Sequence, residues 1–186
     1  LSHAASGYYL SGFDKALILS IDGGGQDYND VSFTRIYKGN ESVIIPLDSP
    51  DPNLGGAYGK IGSPISEIKP GPDSNIDSLV YAGKVMGLCA YGNIRTEWIE
   101  FMVNFYDSKA QSLTALGNVT GLDLSFNSLK GQLSYDLAAT SQFIFEQFVL
   151  EILKPYIDEY DNFILVGGCA LNVLFNQRFK KLLIPM

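Results

Sequence analysis

The stretch ALILSIDGGGQD, residues 16–27, constrains the fold more than any other part of this sequence. Its apolar run is of strand length and nearly unbroken, which is typical of a central strand buried on both faces of a sheet. The run ends at Asp22, and Gly23, Gly24 and Gly25 follow. Glycines at a strand end let backbone N–H groups approach a ligand, because no side chain is in the way. The stretch therefore predicts an α/β protein with a ligand cleft at this edge.

The next segments predict two further strands. Residues 31–39 alternate polar and apolar side chains, as a half-buried strand does. Residues 42–47 form another apolar run after the turn residues Gly39 and Asn40. With the first strand they predict a three-stranded antiparallel meander. Residues 48–76 are rich in Pro, Gly, Asp and Ser and predict a loop with short helices.

The rest of the chain predicts helices and one more strand. Helical segments are expected at 4–10, 78–92 and 143–154. The last of these is amphipathic, and Pro155 should end or kink it. The apolar run NFILVGG predicts a short buried strand, and the stretch ALNVLFNQRFKKLL predicts a helix after it.

One segment matches the spacing of a leucine-rich repeat: LTALGNVTGLDLSFNSLKGQL, residues 113–133. A solenoid needs about three stacked repeats before each apolar face is covered, and this sequence has one copy. We therefore interpret the segment as irregular, with turns such as Phe126-Asn127-Ser128.

Charge and composition exclude several classes of partner. The net charge is −7 and the pI is near 4.6, so neither a nucleic-acid nor an anionic-membrane surface is indicated. No apolar stretch approaches the roughly 20 residues that cross a bilayer. Cys89 and Cys169 lie in apolar surroundings, which favours free thiols and a cytoplasmic location. The expected partner is a small molecule.

The order of the predicted elements is that of half an actin- or hexokinase-like fold, which belongs to the ribonuclease H-like group. In that fold two halves face each other across a nucleotide cleft, and glycines at strand ends suit such a cleft. Two glycine turns of this kind exist here, one at Gly23 to Gly25 and one at Gly167-Gly168. Each pattern alone is also typical of an ordinary turn.

Four motifs occur in order over nearly the whole chain: LSHAASGYYLSGF, ALILSIDGGGQD, AGKVMGLCAYG and ILVGGCALNVLFN. In this combination the chain resembles the O-carbamoyltransferase family, the nodulation-factor and antibiotic carbamoyltransferases, across their catalytic actin-like domain. The resemblance implies that residues 1–186 are a single partial domain, the second lobe of that domain. An N-terminal lobe and a C-terminal adenylate-forming domain are expected outside it.

The resemblance also implies a metal site. His3 matches the second histidine of the family's His-x-x-x-His helix motif, and Asp22 matches a ligand aspartate that closes the first strand. Nitrogen and carboxylate ligands with open positions suit a divalent metal, and iron(II) is the expected ion. Asp22 is expected to act as a ligand first and as a catalytic base second. Without the resemblance, His3 is an ordinary solvated histidine and Asp22 a turn residue.

Further residues match family positions that are expected to bind ATP or carbamoyl adenylate. Five of them are glycines whose backbone N–H groups are expected to approach the adenylate: Gly23, Gly24, Gly25, Gly167 and Gly168. Lys84 is expected to bind a phosphate or carbamoyl oxygen, and Asn172 to orient the nucleotide. The alternatives are that Lys84 extends its amine from an apolar helix into solvent, and that Asn172 is an ordinary helix-face amide.

The activity that the resemblance implies has two steps. Carbamoyl phosphate and ATP give carbamoyl adenylate in the separate C-terminal domain. The actin-like domain then transfers the carbamoyl group to a hydroxyl of a sugar-like acceptor. Residues 1–186 alone are expected to be inactive, and their cleft-facing surface is expected to drive self-association, with a homodimer as one form. Two alternatives stay open: a sugar or acetate kinase of the same superfamily, and a non-catalytic nucleotide-binding module.

Overall fold

The computed structural model describes residues 1–27, 30–68 and 79–183. The chain forms two compact units. Residues 1–55 together with 148–186 make the first, which we call the sheet unit, and residues 56–147 make the second, the helical unit. Across the described ranges there are four strands and seven α-helices. The predicted α/β class is confirmed, and the actin-like architecture stays a prediction.

The sheet unit contains a four-stranded mixed sheet of order β3-β2-β1-β4. Its strands are β1 (Lys15–Asp27), β2 (Asp30–Asn40), β3 (Val43–Asp48) and β4 (Phe163–Val166). The first three pair antiparallel, and β4 pairs parallel with β1. The predicted meander and the later short strand are therefore confirmed. Strand β1 lies in the interior of the sheet, and its residues Ala16 to Leu19 are buried, as the unbroken apolar run predicts.

Helix α1 (Ser2–Ser11) packs on one face of this sheet. Its buried residues Ala4 and Tyr8 share a core cluster with Ala16, Ile18, Tyr37 and Ile164. The Tyr8 hydroxyl donates to the carbonyl oxygens of Asp14 and Glu41, at 2.8 and 3.1 Å. The helix is therefore fixed to the sheet by both apolar packing and hydrogen bonds.

Helix α7 (Val173–Leu183) supplies packing to the other face. Phe163, which pairs with Leu17 in the sheet, has its ring edge-on to Phe179, with ring centroids 5.3 Å apart. Neighbouring strand residues alternate between faces, so Phe163 and Ile164 point to opposite sides. The sheet is therefore covered on both faces, which is what the sequence of β1 requires.

The helical unit contains most of the remaining helices. They are α2 (Leu54–Lys60), α3 (Leu79–Leu88), α4 (Ile99–Asp107), α5 (Leu113–Thr120) and α6 (Gln132–Leu153). Residues 54–55 of α2 and 148–153 of α6 belong to the sheet unit. The prediction of short helices after β3 is confirmed by α2 and the 3-10 turn Ser66–Ile68, and the rest of 48–76 lies partly outside the described residues. Of the helix predicted at 78–92, α3 ends at Leu88 and a 3-10 turn continues to Tyr91.

Two secondary-structure predictions in this region were wrong in part. Residues 113–120 are not irregular but form α5, because the Ser112 hydroxyl accepts the N–H of Ala115 at the start and Gly121 ends the helix with a φ of 73°. The turn at Asn127, with a φ of 60°, is as predicted. Helix α6 begins at Gln132 and not near 143, while its end at Leu153 before Pro155 is confirmed.

The early part of α6 contains buried polar residues that form hydrogen bonds within the chain. The Asp136 side chain is 1% exposed and accepts hydrogen bonds from the Asn93 N–H at 2.8 Å, Gln132 Nε2 at 2.7 Å and Arg95 Nε at 2.6 Å. Burial by itself raises the pKa of this carboxyl, but these hydrogen bonds and the Arg95 charge outweigh it and hold the pKa below its usual value. Asp136 therefore joins residues 93–95 to the helix.

None of the helices in the described ranges is long and apolar enough to cross a bilayer.

Candidate active site

The regular pairing of β1 is interrupted where the glycines begin. Ile21 pairs with Thr34 and Gly25 pairs with Ser32, so the three residues from Asp22 to Gly24 lie opposite Phe33 alone. This is a β-bulge, which bends a strand and redirects its side chains. Gly24 has a φ of 150°, a conformation that side chains rarely adopt. The bulge therefore explains why glycines follow Asp22.

The bulge brings together the two predicted metal ligands. His3 Nε2 lies 3.1 Å from Asp22 Oδ2. The second carboxylate oxygen, Asp22 Oδ1, accepts the Gly23 N–H at 2.8 Å. The His3 side chain is 60% exposed and the Asp22 side chain 29%, so both are accessible from solvent. Both carboxylate oxygens of Asp22 thus have a contact within the chain, while most of the His3 side chain is exposed to solvent.

The packing of α1 explains how residues far apart in the sequence meet. Along one face of β1 the side chains change from apolar, at Ala16 and Ile18, to polar, at Ser20 and Asp22. Helix α1 covers the apolar part through Ala4 and Tyr8, and its first turn carries His3 to the polar end. The same burial that stabilises the helix therefore positions the histidine.

The second glycine turn lies against the same aspartate. A Cβ atom on Gly168 would stand 3.2 Å from Asp22 Oδ1, and a Cβ on Gly167 would collide with the Ile21 carbonyl. Gly167 also has a φ of 86°. Gly55, at the start of α2, approaches Asp22 from a further direction, because its Cβ would lie 2.9 Å from the Asp22 backbone. The two predicted glycine turns therefore converge on Asp22.

Cys169, directly after these glycines, is a neighbour of Asp22 that sequence reasoning did not place here. Burial, followed by the negative charge of Asp22, raises the pKa of the Cys169 thiol to about 12. The thiol is therefore protonated at neutral pH and is a poor nucleophile. Its position immediately after Gly167-Gly168 in the sequence is the feature that could have indicated the proximity.

Two other predicted binding residues already have partners within the chain. Asn172 is buried, and its Oδ1 accepts the Phe175 N–H at 3.0 Å, which is the geometry of a helix N-cap for α7. Lys84 belongs to the helical unit, where its Nζ donates to the Ile68 carbonyl at 2.8 Å. Each residue therefore has a structural role: Asn172 caps α7, and Lys84 connects α3 to Ile68.

A pocket of about 190 Å³ surrounds the His3–Asp22 pair. Its lining comprises Leu1, Ser2, His3, Ser20, Asp22, Gly24, Gly25, Ser32, Phe33, Arg35 and Tyr37. Sequence reasoning missed the polar members from the strands, such as Ser20, Arg35 and Tyr37. The register of β1 against β2, which sets Ser20 opposite Arg35, is what brings them here. Alternation within β2 indicated that Arg35 and Tyr37 share a face, but not which face carries Asp22.

The donor chemistry of the pair fits part of a metal site. An imidazole nitrogen and a carboxylate oxygen 3.1 Å apart can bind the same ion, and this pairing suits iron(II), zinc or manganese. Within the ranges that the structure describes, no group of three or more His, Cys, Asp or Glu side chains is arranged to hold a metal. His3 and Asp22 therefore fit two ligands of an open site.

This chain is similar in sequence to longer proteins from three organisms. It is 30% identical to an uncharacterized protein of Methanocaldococcus jannaschii, over 94% of this chain and 34% of that protein. It is 28% identical to an uncharacterized protein of Synechocystis, over 97% of this chain and 31% of the relative. It is also 27% identical to the nodulation protein NolNO of Sinorhizobium fredii, over 97% and 26%. The chain thus spans about a third or less of the length of these relatives.

A sequence family covers almost the whole chain. Residues 1–182 match the family described as Carbamoyltransferase N-terminus. The match includes the start of α1, the bulge of β1 and strand β2, which supply the residues that line the pocket, and it also includes the second glycine turn. This chain therefore belongs to the carbamoyltransferase family, in the part that corresponds to the family's N-terminal domain.

Proposed function

We propose that the pocket around His3 and Asp22 is where a carbamoyl group is transferred from carbamoyl adenylate to a hydroxyl of a sugar-like acceptor. The observation that carries the proposal is the approach of His3 Nε2 to Asp22 Oδ2, at 3.1 Å, inside a pocket of a carbamoyltransferase-family chain. The adenylate would be made from carbamoyl phosphate and ATP elsewhere in the full-length protein.

The transfer requires one bond to form and one to break. The acceptor hydroxyl oxygen bonds to the carbamoyl carbon, the bond from that carbon to the phosphate oxygen breaks, and AMP leaves. The hydroxyl proton passes to a carboxylate oxygen of Asp22. Because both oxygens of Asp22 are engaged, we propose that the carboxylate acts first as a ligand beside His3, and that its use as a base requires release of one partner.

A divalent metal, which we propose to be iron(II), would bind His3 and Asp22 and supply Lewis-acid polarisation of the carbamoyl carbonyl or the phosphate. The protein groups around it would set the position of the adenylate. Gly24 and Gly25 line the pocket, and Gly168 is exposed beside Asp22, so the donor can approach the backbone closely there.

We also propose that Lys84 binds a phosphate and that Asn172 orients the nucleotide, although both already have partners in the chain. For Lys84 to bind a phosphate, its Nζ must exchange the Ile68 carbonyl for the ligand. For Asn172 to orient the nucleotide, its amide nitrogen must do so while Oδ1 continues to cap α7. We therefore expect substitution of either residue to affect stability as well as binding.

The decisive experiment uses the full-length gene product and separates the two steps. Carbamoyl-phosphate-dependent exchange of pyrophosphate into ATP reports adenylate formation, and carbamoylation of an acceptor reports transfer. We expect His3→Ala and Asp22→Asn to retain exchange and lose transfer. Formation of ADP from ATP and a sugar, without exchange, would support the kinase alternative. Nucleotide binding with neither reaction would support the non-catalytic module.

A further inference from the structure

Arg35 occupies a fixed place in the pocket that neither the mechanism above nor the glycine turns explain. It lies on β2 directly opposite Ser20 of β1, and Asp22 follows Ser20 after one intervening residue. Directly opposed residues of antiparallel strands point to the same face of the sheet. Arg35 therefore lines the same cavity as His3 and Asp22, on the face that α1 covers.

The Arg35 side chain is partly enclosed by the protein. Its Nε atom is shielded from solvent, while the residue as a whole is partly exposed. A guanidinium remains charged at all relevant pH values and presents its donors in a planar fork that matches phosphate oxygens. An arginine whose Nε is shielded and which lines a cavity is preorganised, so it loses less side-chain entropy on binding than a fully exposed surface arginine.

The size and charge of the cavity suit one small anionic group. Pockets for drug-sized ligands measure about 300–1,000 Å³, and this cavity measures about 190 Å³. It therefore accommodates the charged end of a nucleotide more readily than the whole molecule. The carboxylate of Asp22 is already bound by His3 and the Gly23 N–H, so it presents less uncompensated negative charge to an incoming anion.

We propose that Arg35 anchors a phosphoryl oxyanion in the His3–Asp22 pocket, so that the group attached to the phosphate is held beside His3. The identity of the phosphoryl group as that of the carbamoyl donor rests on the proposed function. The anchor itself does not, because it follows from the position of Arg35. Two sources share this chemistry: the phosphate of a nucleotide, and a free phosphate compound such as carbamoyl phosphate.

The test is hydrogen exchange measured by mass spectrometry on the full-length protein, titrated separately with AMP, carbamoyl phosphate and inorganic phosphate. The local readout is protection of peptides from β1 and β2 that contain the bulge and Arg35. The variants are Arg35→Gln, which removes the charge, and Arg35→Lys, which keeps the charge and loses the fork. Lys38→Gln is the matched control, because it removes one charge from the opposite face of the same strand.

We expect wild type and Lys38→Gln to show protection at similar ligand concentration. Arg35→Gln should need about tenfold more ligand and Arg35→Lys an intermediate amount. Protection by AMP at lower concentration than by the other probes assigns the site to a nucleotide phosphate, and the reverse order assigns it to a free phosphate compound. Equal protection in wild type and both Arg35 variants, or none with any probe, overturns the proposal.

The same experiment separates this proposal from the proposed function. If Arg35-dependent protection is present but pyrophosphate exchange and carbamoylation are absent, the oxyanion anchor stands and the carbamoyl-transfer proposal fails. If transfer occurs and Arg35→Gln leaves both transfer and protection unchanged, the anchor fails alone. Should Arg35→Gln not fold, Arg35→Lys carries the test, because it retains the positive charge and an aliphatic stem of similar length.

Discussion

The ring of Tyr8 lies against the backbone of Gly39, in space that any side chain at position 39 would fill. Residue 39 belongs to β2 and Tyr8 to the helix that carries His3. We expect Gly39→Ala to displace the ring, tilt α1 and lower the free energy of unfolding by about 1–3 kcal/mol. Denaturant unfolding measures the loss, and reduced carbamoyl transfer would report the movement of His3.

Gly83→Ala serves as the control for that substitution. Gly83 is exposed within α3, and among the described residues a Cβ there meets nothing within 4 Å. Replacing a glycine in a helix interior by alanine should stabilise by about 0.5–1 kcal/mol. If the two substitutions have the same effect on stability, the packing of Tyr8 on Gly39 does not hold α1 in place.

The proposed metal ligands, His3 and Asp22, are tested by the metal content of the full-length protein. We expect His3→Gln and Asp22→Asn each to lower bound iron(II) or a substitute ion, since each removes one donor of the pair at 3.1 Å. Asp14→Asn, which alters an exposed carboxylate of the same unit, should leave metal content unchanged. Chelation should reduce transfer and spare pyrophosphate exchange. Equal metal content in all variants would remove His3 and Asp22 from the ligand set.

The thiol of Cys169 reports the charge of Asp22. Because that negative charge contributes to a pKa of about 12, Asp22→Asn should lower the pKa and raise the thiolate fraction at pH 9. Alkylation of Cys169 in metal-depleted protein, followed by mass spectrometry, should therefore be faster in the variant. Cys89, whose pKa is raised by burial and by Glu146, is the internal control and should react at an unchanged rate.

The same shift makes a prediction for stability at alkaline pH. The folded pKa of Cys169, about 12, lies above the ordinary value of 9.0, so the folded state retains the proton longer than the unfolded state. The stabilisation is fully present below pH 9 and is lost as the pH rises toward 12. Cys169→Ala should unfold with a weaker pH dependence across this interval, as followed by urea denaturation. An identical slope in both proteins contradicts the assignment.

Asp136 makes the opposite prediction at acid pH. Its folded pKa is below the ordinary value of 3.8, so its contribution is present above that pH and is lost as the pH falls through the folded pKa. We expect Asp136→Asn to cost about 1–3 kcal/mol at pH 7, because the amide keeps one acceptor oxygen and turns an NH2 group toward either Arg95 Nε or the Asn93 N–H, which then lacks its acceptor. The variant should also show a shallower decline in stability below pH 4, measured by thermal unfolding.

The exposed carboxylate of Glu100 offers a comparison within the same unit. Glu100→Gln should change the free energy of unfolding by less than about 0.5 kcal/mol. A loss as large as that of Asp136→Asn would mean that general charge, and not the buried hydrogen-bond network, determines the acid sensitivity.

The parts of the fold that follow from simple burial could be predicted from the sequence. The apolar run of β1 demands cover on two faces, and the alternation in β2 and the turn at Gly39 determine the meander. Pro155 marks the end of α6, because proline lacks the N–H that a continuing helix needs. These features depend on local chemistry alone.

The parts that depend on long-range pairing could not be predicted. The first half of α6 buries Ser134, Asp136 and Thr140, and such residues indicate a helix core only when their partners are known. Arg35 faces the pocket because of the register between two strands, which one residue of slip would reverse. Family motifs predicted His3 and Asp22 as site residues, whereas the polar residues around them are placed there by the pairing of β1 with β2.

The bulge at Asp22–Gly24 also separates two kinds of evolutionary constraint. Before the bulge, residues Ala16 to Leu19 are buried and pack on both faces of the sheet, so we expect few substitutions to be tolerated there. Within it, Asp22 takes part in no regular pairing, so its side chain can change without shifting the register of the sheet, whereas Gly24, with a φ of 150°, stays restricted to glycine. Selection can therefore revise the chemistry at the end of β1 while the scaffold that presents it stays the same.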